Sequence, residues 1–133
     1  MENEKGKVRV FPSGSTRDTS AGKLSYVKAL SPLVLQSYVR YLDKHRKQAD
    51  GSMRDFDNWK KYMPEDVCLD GLGRHFMAVW LLMQGFPAED NHGPVTLEDS
   101  LCAIIFNASV ILHQIFMMEI EIKKEEDQYD LFA

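Results

Sequence analysis

The sequence predicts an all-α protein: a helical bundle of three main helices plus a short one, behind an irregular N-terminal arm. Three observations lead there. Phe76 to Phe86 (FMAVWLLMQGF) and Leu101 to Met118 (LCAIIFNASVILHQIFMM) are apolar on nearly every side of a helix. Leu35, Val39 and Leu42 form a third, narrower stripe at helical spacing, with Tyr38 alongside. Start and stop signals bracket all three, with Ser31-Pro32 before the first, Gly85-Phe86-Pro87 after the second and Thr96 before the third.

Taken in order, residues 1–31 read as an arm. Val8 to Phe11 can form a short extended piece that Pro12 ends, and the turn formers from Ser13 to Tyr26 are too polar to pack alone. The first helix runs from Pro32 to about Arg46. A loop centred on Asp50-Gly51 follows, and Asp57-Asn58-Trp59 begins a short helical turn that ends near Met63. Pro64 opens the second helix, which continues to Gln84, and residues 87–95, with Pro87, Gly93 and Pro94, form a connector. Thr96 caps the third helix, with Asp99 in capping-box position, and the helix extends to about Lys124. The helical domain is thus 32–124, and 125–133 is an acidic, frayed tail.

With 133 residues the chain is one domain, large enough for a core without staples. Cys68 and Cys102 both fall in apolar helical pattern and read as small core residues of a reducing compartment. A net charge of −4 leaves no basic footprint for duplex nucleic acid. The first residues lack the hydrophobic stretch of a signal peptide, so a cytoplasmic protein is expected. Asn107, Ser109, His113 and Gln114 interrupt the run 101–118, which favours a buried helix over a membrane span. Three helices of one chain can surround at most one of their number, so two helices apolar all round predict a homo-oligomer, most simply a dimer.

Four polar clusters are left over: Arg17-Asp18 with Gly22-Lys23, Asp57-Asn58-Trp59, Arg74-His75, and Glu98-Asp99 with Asn107. Burying an amide or imidazole costs a few kcal/mol unless it is hydrogen-bonded, so Asn107 and His75 imply either a polar site inside the core or partners that satisfy them there. Arginine and lysine suit phosphate, the first as a planar fork and the second as a mobile point charge. Asn58 can offer amide hydrogen bonds and Trp59 a stacking face, although a tryptophan at a helix start is also a common core anchor. His75 shares a face with Val79 and Leu82 and points inward, as a proton-transfer group or as a core histidine. Arg74 follows Asp70 by four residues and can equally form an exposed helical ion pair.

The clusters, in this order and spacing, resemble the N-terminal domain family of dATP/dGTP diphosphohydrolases, often found in bacteriophages and akin to the all-α, MazG-like nucleoside triphosphate pyrophosphohydrolases. The matching residues are Gly14 to Tyr26 (GSTRDTSAGKLSY), Ser31 to Leu35 (SPLVL), Asp57 to Trp59, Arg74-His75 and Leu101 to Asn107 (LCAIIFN), within about residues 14 to 113. The resemblance implies a helical enzyme of the cytoplasm, of a host's cytoplasm if phage-encoded. Its activity would be hydrolysis of purine deoxynucleoside triphosphates to monophosphate and pyrophosphate with Mg2+. Arg17, Lys23, Asn58, Trp59, Arg74 and Asn107 would then hold the nucleotide, and His75 and Asp99 would serve catalysis. The related pyrophosphohydrolases carry ExxE and ExxD carboxylates on two helices. This chain has no ExxE on its first helix, and Asn107 stands where its third might supply a carboxylate. Glu98 and Asp99 are the metal candidates. On an ideal helix Asp99 lies about 80° from Asn107 and Glu98 about 180°, which favours Asp99. Both acids also suit a helix N-terminus electrostatically. The competing expectations are a nucleotide-binding protein without catalysis and a helical interaction protein.

Overall fold

The computed structural model describes residues 7–132, and the side chains of residues 7–130. Residues 1–6 of the expected arm and Ala133 of the expected tail lie outside the described residues. The chain forms two compact units, Met1–Pro32 and Leu33–Ala133.

In the first unit, β1 (Val8–Val10) pairs antiparallel with β2 (Thr16–Asp18), so that Arg9 lies opposite Arg17. Gly14 makes the reversal possible: its φ of +87° is open to glycine, and its amide donates to the Phe11 carbonyl at 2.8 Å. The sequence signalled only the first of these strands. It also gave no sign of α1 (Tyr26–Ala29), one turn long, which Ser25 caps by accepting from the Lys28 amide at 3.2 Å.

The second unit is helical. α2 (Pro32–Lys44) is followed by a loop whose Lys47 and Met53 form an isolated bridge. A single 3-10 turn, Asn58–Lys60, stands where a short helix was expected. α3 (Glu65–Met83) places Glu65 and Asp66 in its first turn, where the helix dipole favours them. It ends in a Schellman motif: the Phe86 amide donates to the Leu81 carbonyl and the Gly85 amide to that of Leu82, with Gly85 at φ +85°. The connector folds into a minimal hairpin of β3 (Glu89–Asp90) and β4 (Gly93–Pro94), which the prolines and glycine disguised as loop. Asp90 Oδ1 accepts from the His92 amide at 2.8 Å and shapes its turn.

Thr96 caps α4 (Leu97–Phe132) as expected, its hydroxyl accepting from the Asp99 amide at 3.1 Å. The helix runs on past Lys124, because the stretch Glu125 to Gln128 contains neither glycine nor proline and disfavours the helix little.

α3 and α4 pack together over a small core of Cys68, Val79, Cys102, Ala103 and Val110. The two cysteines are free and buried, in keeping with the sequence reading. The helices approach closely at Gly71. A methyl group built there would stand 2.9 Å from Asn107 Oδ1, so the absent side chain leaves room for the amide. The other polar residues of the α4 run are engaged too. Gln114 clasps the Met63 backbone through two hydrogen bonds of 2.8 and 2.9 Å, Ser109 is the hydrogen-bond partner of Tyr38, and His113 packs against Trp59 in a T-shaped contact with ring centroids 4.8 Å apart.

Beyond Gln114 the core ends. Phe116, Met118, Ile120 and Ile122 are exposed on α4, as are Phe76 and Trp80 on α3. By length and composition Leu97–Asp130 could cross a membrane, and 22% of its most apolar window is buried.

Candidate functional site

Within the second unit, three cavities share walls. The first, of about 220 Å3, is lined by Asn58 and Trp59 from the 3-10 turn, Tyr41 from α2, His45 just past its end, and Phe56 and Phe106. Arg46 and Arg54 also border it, and both are built into the wall. The Arg46 guanidinium lies 4.2 Å from the Phe56 ring centre, and its Nε donates to the Arg54 carbonyl at 2.8 Å. Arg54 in turn donates to the His45 carbonyl at 3.1 Å. The clasp of Gln114 on Met63 fixes the chain just after Trp59, so the indole is held from both sides of its turn.

Tyr41, in the last turn of α2, and His45, four residues on and just past its end, have ring centroids 4.3 Å apart. They also line the second cavity, a narrow space of about 60 Å3 whose remaining polar side chains are His75, Asp90, Asp99 and Ser100. His75, Asp90 and Val95 in turn line the third, of about 420 Å3, which Arg74 borders. The result is a continuous strip, aromatic at the Trp59 end and mixed at the Arg74 end, where Arg74 and Glu89 stand among apolar residues such as Met77 and Leu81.

Electrostatics along this strip favour neutral rings. Burial first, and the Lys44 charge second, lower the His45 pKa from its ordinary value. Burial, then Arg74, do the same for His75. Both imidazoles are therefore neutral near pH 7 and able to accept a proton. The Tyr41 hydroxyl is pushed up to about 12, by burial foremost and then by the Asp99 carboxylate.

Of the residues singled out from sequence, Asn58, Trp59, Arg74, His75 and Asp99 line this strip. Asn107 does not. Its Nδ2 donates to the Ala103 carbonyl at 2.8 Å and its Oδ1 fills the notch over Gly71, so the expected convergence of His75 and Asn107 on one cavity gives way to a packing role. Glu98 turns to α2, where it accepts from the Ser37 hydroxyl at 2.6 Å, and Asp99 forms an ion pair with Lys44. The two acids thus have different neighbours and do not share one site. Arg74 has no ion pair with Asp70. Arg17, on β2, and Lys23, after the turn at Gly22, are exposed in the first unit.

Sequence reasoning missed Tyr41, His45 and Asp90. The i, i+4 spacing of Tyr41 and His45 was a legible signal; Asp90 depends on a hairpin that was not. No group of three or more His, Cys, Asp or Glu placed to hold a metal occurs among the described residues. No family model, curated protein or solved structure matches this chain.

Proposed function

We propose that the chain binds a purine deoxynucleoside triphosphate along the strip and hydrolyses it to monophosphate and pyrophosphate. The observation that carries this reading is the shared walls: one surface runs from a stacking indole, past two neutral imidazoles and the Asp90 and Asp99 carboxylates, to Arg74, with Asp55 lining its first cavity and Glu89 its last. Trp59 offers the base its face, and Asn58, whose side chain has no hydrogen-bond partner among the described residues, offers amide hydrogen bonds to it. His75 accepts the proton of the attacking water as oxygen bonds to the α-phosphorus and the bond to pyrophosphate breaks. Arg74 neutralises phosphate charge.

Mg2+ is commonly held by one or two carboxylates together with substrate phosphates. Asp90 and Asp99 on one narrow cavity fit that donor set, while Glu98 does not face it. The ion supplies neutralisation of charge developing on the phosphates. The exposed apolar faces of α3 and α4 support a homo-oligomer, and the partners of Asn107, Gln114 and Ser109 within the fold support a cytoplasmic, soluble setting over a membrane span.

A second reading, binding without hydrolysis, is favoured by one observation: Asp99 is already paired with Lys44. Incubation with dATP and dGTP, with and without Mg2+, separates the two. Equal amounts of monophosphate and pyrophosphate, formed only with Mg2+, support the hydrolase. Nucleotide bound but unchanged supports the binder, and no binding to either nucleotide overturns both.

A further inference from the structure

Asp99 faces the narrow cavity with its charge already answered. Lys44, the last residue of α2, places its Nζ on Asp99 Oδ2. No lysine or arginine lines that cavity, and among the described residues Lys44 is the one cation paired with a carboxylate there. The Lys44 and Asp99 side chains are 55% and 35% exposed. A pair so open to water adds little to stability and can separate without unfolding anything. The next residue, His45, belongs to the wall between the aromatic cavity and the narrow one, so Lys44 stands beside the middle of the strip.

The geometry points to Lys44 as a phosphate ligand held in reserve by Asp99. In the free chain the ammonium masks the carboxylate. When a triphosphate enters with its divalent cation, Lys44 moves to a phosphate oxygen and Asp99 is released to the cation. The exchange conserves charge pairing on both sides: ammonium passes from carboxylate to phosphate, and carboxylate from ammonium to metal. It also explains how a paired aspartate can serve a metal, and why cation and nucleotide would bind together better than either alone. The inference rests on the nucleotide reading above.

The test uses the full chain and Mn2+ as a spectroscopic stand-in for Mg2+, followed by electron paramagnetic resonance, with an α,β-methylene dGTP analogue as the nucleotide. Lys44→Ala should tighten binding of Mn2+ alone by about two- to fivefold, the scale of an exposed ion pair, and weaken binding of the analogue by about tenfold, the scale of one charge-assisted hydrogen bond. Lys44→Arg should stay near wild type in both. Asp99→Asn should remove the gain in Mn2+ affinity when combined with Lys44→Ala. If the wild-type chain binds the analogue and Lys44→Ala binds it equally well or better, the lysine is no phosphate ligand and the nucleotide reading stands without it. Unchanged Mn2+ affinity in Lys44→Ala shows that no carboxylate was masked, which overturns the exchange. If the wild type binds no nucleotide at all, the parent reading fails and the proposal falls with it.

Discussion

The two halves of α4 both carry large apolar side chains, and their surroundings differ. From Leu97 to Gln114 the helix lies against α3 and the Trp59 turn, and its polar side chains have dedicated partners in Ala103, Tyr38, Trp59 and Met63. From Ile115 to Tyr129 its large apolar residues are exposed, Met118 to 60%. A hydrophobic run therefore means two things within one helix. Where the polar side chains of α4 find partners within the fold, the chain supplies its own cover; where its large apolar side chains stand exposed among charges such as Glu119 and Glu121, a second copy is the proposed source.

The sharpest way to break that contrast is to charge the exposed half. Each buried Phe or Ile side chain contributes about 1.5–3 kcal/mol, so Phe116→Asp with Ile120→Asp should weaken self-association by roughly a hundredfold or more. Light scattering across micromolar concentrations reads this directly. A wild-type chain that is a folded monomer throughout that range removes the second copy from the account.

A smaller effect probes the covered half. Asn107→Leu puts branched methyl groups into the notch over Gly71, where there is no slack, and should lower stability by about 1–3 kcal/mol with nucleotide affinity unchanged. On the exposed half, Met118→Leu should stay within about 0.5 kcal/mol for the single chain. Urea melts with a parallel binding titration decide, and lost affinity at full stability would return Asn107 to the site.

The mildest effect is on pH. His45 and His75 have lowered pKa values in the folded chain, so the unfolded chain protonates first as pH falls. Their contribution is fully present above the ordinary imidazole value, near 6.5, and is lost as pH falls from there through the folded values. Tm should decline below that point, and less steeply in His45→Gln. An identical profile in the variant would show that the imidazole is not held in a desolvated wall.

How far the sequence could be read follows the same physical lines. The helices were legible because caps and breakers act locally: Thr96 and Gly85 do in the fold what their types suggest. The two hairpins were not, since strands of two or three residues have too little pattern to rise above Pro, Gly and Asp turns. For the site, dipeptides such as Asn58-Trp59 and Arg74-His75 drew notice by type, and the strip lies where they fold together. Asn107 drew notice for the right reason, a polar group in an apolar helix, but its partner was the space left by a glycine, which leaves no mark in composition. Asp90 and the pairing of Lys44 with Asp99 join elements far apart in the chain, and only the packing of α2, the β3–β4 hairpin and α4 brings them to one cavity.

The central claim is that a nucleotide lies on this strip with its base against Trp59. The direct measurement is calorimetric titration of the α,β-methylene dGTP analogue, with Mg2+, into the wild-type chain and into Trp59→Ala, with helicity of both checked by circular dichroism. The account predicts saturable binding to the wild type and a loss of about tenfold or more in the variant, as expected for one base–aromatic stack. Absence of wild-type binding, or equal affinity in a folded Trp59→Ala chain, would contradict it.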